Sequence, residues 1–184
     1  MRKLTVFNFT TLNGFYKGPG EDISWNQHGP QENEHAENGL QSGNVLLFGR
    51  RTFEMMAGFW PTDQALAMMP AVAEGMNKAE KIVISNSLTD PAWNNSRLLS
   101  GSLEKNIREL KQSAGKDITI LGSGSIVAQL TDLGLIDGYQ LMINPVALGA
   151  GTTLFQGIRQ PLNLKLVNSS ILSNGILVLD YEPA

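Results

Sequence analysis

The chain has 184 residues, 42% of them apolar and 17% charged, no cysteine, and a net charge of −3. That length suffices for one domain with a sizeable core, while the lack of cysteine excludes disulfides, thiolate metal sites and a cysteine nucleophile. With no basic excess, neither nucleic acid nor an anionic membrane surface is favoured as a partner. The opening "MRKLTVFNFTTLNG" loses its apolar run at Asn8, so it reads as a strand and not as a signal peptide. No stretch is long and apolar enough to span a bilayer. The expectation is a single domain, 1–184, in the cytoplasm.

In chain order, residues 3–9 form the first strand-like run. Residues 27–42 are very polar and weakly periodic, and are assigned to a helix. A short apolar strand at 44–48 leads into a helix beginning near Thr52. The helical pattern over 64–77 contains Pro70, which predicts a break or a late start there. Strands follow at 81–85 and 97–100. In "LEKNIRELKQS", residues 103–113, Leu103, Ile107 and Leu110 share one face, Ser102 can cap the start and Gly115 follows the end. A strand at 117–121 precedes a helix at 124–133 with Ile126, Val127, Leu130 and Leu133 as its apolar stripe. After a strand at 138–144, "LNLKLVNSSILSNGILVLDYEP" holds two strand runs around Ser173-Asn174-Gly175, a hairpin signal. The pattern predicts an α/β fold: a mixed sheet, mostly parallel, with helices on both faces and a C-terminal antiparallel hairpin. There is no internal repeat, low-complexity tract or linker.

Two strand-to-helix seams carry chemistry. In "LFGRRTFEMM", residues 47–56, Gly49, Arg50, Arg51 and Thr52 stand where an apolar strand meets a helix. Guanidinium groups suit phosphate because they are planar, permanently charged and multidentate. The helix dipole mildly disfavours cations at this end, so an anionic ligand explains them better than helix stability does. The competing reading is surface ion pairing, for example with Glu54. In "ITILGSGSIVAQL", residues 118–130, Gly122, Ser123, Gly124 and Ser125 offer small residues, two hydroxyls and the free N–H groups of a new helix. The Rossmann fingerprint fails because Val127 takes the third glycine position, and a P-loop lysine is missing. Taken alone, this seam is equally well read as a tight turn that needs glycine. Two anion-friendly seams together point to a dinucleotide.

Other residues are weaker candidates. His28 and His35 lack metal-ligand spacing, and no metal is expected. Trp25 is a candidate for a substrate pocket wall, with a loop anchor as the other reading. Trp60-Pro61 either closes a pocket wall or packs the core. Met55, Met56, Met68, Met69 and Met76 are expected as core fillers. Ser123 and Ser125 have no histidine nearby in sequence, so a hydrolytic triad is unsupported.

The ordered set "GRRTFE" (49–54), "ISN" (84–86), "LGSGS" (121–125) and "NPVALGAGTTLF" (144–155), each at or after a strand, resembles the dihydrofolate-reductase-like superfamily. More closely, the chain resembles stand-alone relatives of the reductase domain of the bifunctional riboflavin-biosynthesis deaminase–reductase, from about residue 3 to 182. "FTTLNGFY" (9–16) is similar to that family's Ser-Leu-Asp-Gly segment. The resemblance implies an NADPH-dependent reductase, often a homodimer. It implies that Gly49 to Thr52 hold the adenosine-side phosphate and the pyrophosphate. Ser85 and Asn86 would flank the adenine ribose, and Gly122 to Ser125 with Ile126 would lie under the pyrophosphate. Gly149 and Gly151 would form a structural turn near the rim, and Asn13 would stand at the substrate.

Two departures stand out. Asn86 replaces an arginine that often clamps the 2′-phosphate in dihydrofolate reductases, so NADPH preference leans on Arg50 and Arg51. Asn13 replaces an acid and cannot usefully transfer a proton. Glu32, Glu34 and Glu37 lie in a stretch that reads as solvated, so no catalytic residue is assigned. The expected activity is NADPH-dependent hydride reduction of a small molecule, of the pyrimidine or pterin type, including a 5-amino-6-(5-phosphoribosylamino)uracil reductase. The alternative is a nucleotide-binding or dimerisation module without turnover.

Overall fold

The computed structural model describes residues 1–184. The elements are β1 (Leu4–Thr11), β2 (Phe15–Lys17), a 3-10 turn (Pro19–Glu21), α1 (Pro30–Gln41), β3 (Val45–Gly49), α2 (Arg50–Phe59), α3 (Asp63–Met68), α4 (Pro70–Lys78), β4 (Lys81–Ile84), β5 (Ser96–Leu99), α5 (Leu103–Gln112), β6 (Ile118–Leu121), α6 (Gly124–Asp132), β7 (Gly138–Asn144), β8 (Thr152–Thr153), β9 (Leu164–Ile171) and β10 (Leu177–Pro183). The fold is an α/β domain with a mostly parallel eight-stranded sheet and a two-stranded antiparallel one. Two compact units divide it, Met1–Arg2 with His28–Leu121, and Lys3–Gln27 with Gly122–Ala184.

The first unit carries β5-β4-β3-β6, all parallel. Its strands are apolar on both faces, as parallel strands covered by helices must be. Val45 to Phe48 are all buried. Leu46, Phe48, Phe53, Val72, Met76, Val83 and Trp93 form one cluster, with the rings of Phe48, Phe53 and Trp93 about 6 Å apart (5.9–6.2 Å). Pro70 splits the predicted 64–77 helix as expected. It opens α4, where its missing N–H costs nothing, and Met69 takes the non-helical link. Thr62 caps α3 by accepting from the Ala65 amide. Helix α2 begins at Arg50, two residues before the predicted start, so both arginines lie in its first turn.

The methionines divide. Met76 is buried and Met56 and Met69 pack against the cluster, but Met55 and Met68 are exposed. These last two do not fill the core, because each falls on the outer side of its helix. Lys81 is fully buried. Its ammonium donates to the carbonyls of Met76 (2.8 Å), Asn77 (3.3 Å) and Ala79 (2.6 Å), and lies 4.5 Å from the Trp93 ring centroid. It therefore closes the C-terminal end of α4, together with the Asn95 side-chain amide.

The second unit carries β1-β7-β10-β9, with β1 and β7 parallel and the remaining pairs antiparallel. The turn at 173–175 joins β9 to β10, and Gly175 takes φ +85°, as the hairpin signal predicts. On β1, Leu4, Val6, Asn8 and Thr10 are buried in alternation, so Asn8 occupies an inward position. Strands β2 and β8 were not anticipated, since three- and two-residue strands leave no periodicity to read.

Candidate functional site

In the first unit, Gly49 ends β3 and α2 starts at once, so Arg50 and Arg51 stand in the first turn, whose amides have no acceptor within the helix. Both arginines are exposed, and Thr52 is half-buried. Arg50 reaches Glu54 at 3.3 Å, one helical turn on. An exposed pair of this kind is worth about 0–1 kcal/mol and exchanges readily for a stronger anion. The register Gly49↔Ile84 places Ser85 and Asn86 beyond the same end of the neighbouring strand. Ser85 is buried, and its hydroxyl accepts from the amides of Ser87 and Leu88, forming a tight turn. Asn86 accepts from the Gly101 amide at 2.6 Å. Both side chains shape the backbone at the end of β4.

In the second unit, Gly122 (φ +58°) and Ser123 (φ +57°) are both left-handed, and Gly124 opens α6. A left-handed serine costs about 1–2 kcal/mol, so its surroundings must impose it. A left-handed residue followed by a helical one turns successive amides toward one point, a concavity that suits an anion. Beneath the turn, Asn8 donates from Nδ2 to the Gly122 carbonyl at 3.0 Å. Above it lies Tyr16. A Cβ on Gly124 would stand 2.6–2.9 Å from Tyr16 Cε1, Cζ and Oη. Gly124 is thus required by a tyrosine as much as by any ligand. Ser123 and Ile126 are buried, and Ser125 is exposed. Sequence reasoning missed Asn8 and Tyr16. The one available signal was a polar residue at an inward position of β1.

The strap carrying Tyr16 is stitched down. Asn13 accepts from the Leu148 amide and donates to the Leu148 carbonyl, at 3.2 and 2.8 Å, while also accepting from the Thr11 hydroxyl. Only an amide can do both; an aspartate would lack the donor. Gly151 (φ +144°) could not carry a side chain, because a Cβ would lie 2.3 Å from the Lys17 carbonyl oxygen. Its structural role stands, whereas Gly149 has open space around it. Lys17 pairs with Glu21 at 2.5 Å, and its ammonium lies 5.4 Å from the Tyr16 ring centroid. Burial acts to lower the Lys17 pKa, but contacts with Glu21 and Tyr16 outweigh it and hold the ammonium above its usual range. Trp25 is half-buried, and no acceptor in the protein reaches its Nε1. A buried donor left without an acceptor costs about 1–3 kcal/mol.

The reading of Glu32 as solvated is corrected. It is 3% exposed, the only carboxylate-bearing residue in the buried class. It stands in the first turn of α1, with Oε2 2.9 Å from where a Gly29 Cβ would be. The third helical position lets its side chain fold back over the helix start, and Gly29 leaves the room. Composition hid this, because the stretch around it is polar. Glu34 is exposed and Glu37 half-buried. No three His, Asp or Glu gather into a group able to hold a metal. Pro61, with Ala57, Ala92, Trp93 and Asn94, lines a cleft of about 260 Å³, while Trp60 packs against the core and donates to the Met56 sulfur.

These features define an α/β domain with two strand-to-helix turns suited to anions. Residues 2–178 match the RibD C-terminal domain family, and the chain belongs to it. It is 27% identical over 181 residues to the uncharacterised protein YyaP of Bacillus subtilis (strain 168), covering 98% of this chain and 95% of that one. Among solved structures, a protein attributed to riboflavin biosynthesis from Shewanella sp. PV-4 superposes with a TM-score of 0.77 at 20% identity, over 99% of both chains. Dihydrofolate reductase from Enterococcus faecalis, complexed with NADP(H) and RAB-propyl, gives a TM-score of 0.66 at 18% identity, over 98% of this chain and 96% of that one. No helix is long and apolar enough to cross a membrane.

Proposed function

We propose that the chain is an NADPH-dependent reductase of a small, flat heterocycle, of which 5-amino-6-(5-phosphoribosylamino)uracil is one candidate. The observation that carries this is the turn at Gly122–Ser125. Its left-handed serine is strained, and the strain has an evident use if the aligned amides receive a phosphate. Arg50 and Arg51 supply fixed positive charge at the other turn, and Ser85 and Asn86 hold the end of the adjacent strand in shape. The chemistry a bound nicotinamide supplies is hydride transfer. The protein's part is to bind and orient. Backbone amides and serine hydroxyls of the Gly122–Ser125 turn, ahead of Ile126, fix one phosphate, and guanidinium charge fixes another. Trp25, whose buried Nε1–H meets no acceptor in the protein, is assigned to the wall of the substrate pocket. Asn13 acts on the substrate side through the strap that it clips to Leu148.

A nucleotide-binding module without turnover is the second reading. It is favoured by Asn13, whose amide is committed to the backbone where an acid would be useful. Thermal melts with NADPH, NADH and NADP⁺ test binding, because a ligand of the native state raises the midpoint. Absence of any shift at millimolar nucleotide would remove both readings. Binding without NADPH oxidation across candidate heterocycles would leave only the second.

A further inference from the structure

We propose that Asn8 is a positioning residue for the ligand. From inside the fold it locks the Gly122–Ser125 turn in its anion-receiving shape. This rests on the reading that the turn receives a phosphate.

Asn8 shares its face of β1 with Leu4 and Val6 and is 4% exposed. An apolar residue is what that position would take for stability, since a buried amide is costly unless hydrogen-bonded. Its visible partner is the Gly122 carbonyl, 114 residues away. That carbonyl belongs to the first of two consecutive left-handed residues. Anchoring it toward β1 fixes the peptide plane between Gly122 and Ser123, which sends the following amides the other way. Ser123 then spends its own carbonyl on the amides of Ile126 (2.8 Å) and Val127 (3.1 Å), starting α6. Freed from Asn8, the Gly122 carbonyl can rotate, the left-handed serine can relax, and the amides lose their common aim. Tyr16 closes the opposite side against Gly124, so the turn is clamped between two side chains. Of these two, Asn8 is the one that hydrogen-bonds the backbone of the turn.

The test uses the whole chain with Asn8→Leu, likewise branched at Cγ but without a donor, and Asn8→Asp, the same shape with a donor only while protonated. Two quantities are measured. One is amide hydrogen exchange at Ile126 and Val127 without nucleotide. The other is the affinity for NADP⁺ and for NAD⁺. Asn8→Leu should speed exchange at those two amides while leaving β7 and β3 unchanged. It should also weaken both nucleotides together by about five- to tenfold, the loss of one hydrogen bond. Asn8→Asp should behave like the wild type at acid pH, where burial keeps the carboxyl protonated and donating. It should lose protection and affinity as pH rises, with no such dependence in the wild type. A merely structural asparagine predicts no pH-dependent affinity in Asn8→Asp.

Unchanged exchange in both variants overturns the positioning role. Altered exchange with unaltered affinity overturns its link to the ligand. A wild type that binds neither nucleotide overturns the phosphate reading and that link with it. The exchange measurement then still decides whether Asn8 holds the turn. If Asn8→Leu fails to fold, Asn8→Asp followed across pH decides alone.

Discussion

Arg50 and Arg51 separate the phosphate reading from surface ion pairing. Replacing whichever contacts a phosphate by alanine removes a charge-assisted interaction of about 1.5–3 kcal/mol, so affinity should fall about tenfold or more. A grip on the 2′-phosphate weakens NADPH and spares NADH, whereas a grip on the pyrophosphate weakens both. The Arg50–Glu54 pair is exposed, so the thermal midpoint should barely move. Wild-type affinity in both variants would leave ion pairing as the explanation. Glu32 supplies a second residue-level test. Its carboxyl folds back over the start of α1 beside Gly29, so Glu32→Ala should lower the thermal midpoint, with a loss of about 0.5–2 kcal/mol of stability, and leave the NADPH dissociation constant near wild type. An unchanged midpoint would contradict this structural role.

Among the elements, the α4–β4 junction makes the clearest pH prediction. Burial pushes the Lys81 pKa down to about 8 from an ordinary value of 10.5. Between those values the unfolded chain holds a proton that the folded chain has released, so stability should rise with pH across that window. Below about 8 both states are protonated and the penalty is constant. The full shift corresponds to about 3 kcal/mol. Three carbonyls and the Trp93 ring also favour the ammonium, so the measured rise should be smaller. Lys81→Met should remove it, as denaturant titrations of both proteins from pH 7.5 to 10.5 can read; parallel curves would contradict this.

Elements long enough to show a period were legible in the sequence, such as α5 and β7, and so were those with hard punctuation, such as the Pro70 break and the Gly175 turn. Elements made by distant partners were not. Strands β2 and β8 exist because Gly151 lets backbone approach Lys17 and because Asn13 clips Leu148, 135 residues away. The two turns were legible from glycine and charge, because backbone freedom and fixed charge are local properties. What holds the second turn, Asn8 below and Tyr16 above, is tertiary. Glu32 was misread for the same reason, since burial of one residue in a polar helix depends on what packs over it.

At the scale of the molecule, β9 is an edge strand eight residues long that pairs only with β10 and exposes Leu166, Val167 and Ile171. An exposed apolar edge is a liability unless something covers it. A second copy of the chain fits the expected homodimer, and light scattering should give twice the 20.0 kDa of one chain. A mass of one chain at micromolar concentration would contradict it. Calorimetric titration of the purified wild type with NADPH tests most directly whether the two strand-to-helix turns bind NADP(H). Saturable one-to-one binding per chain is expected, with a dissociation constant in the range of about 1 µM to 1 mM usual for enzyme ligands. An absence of saturable heat up to several times the upper limit, at two temperatures to guard against a vanishing enthalpy, would contradict it.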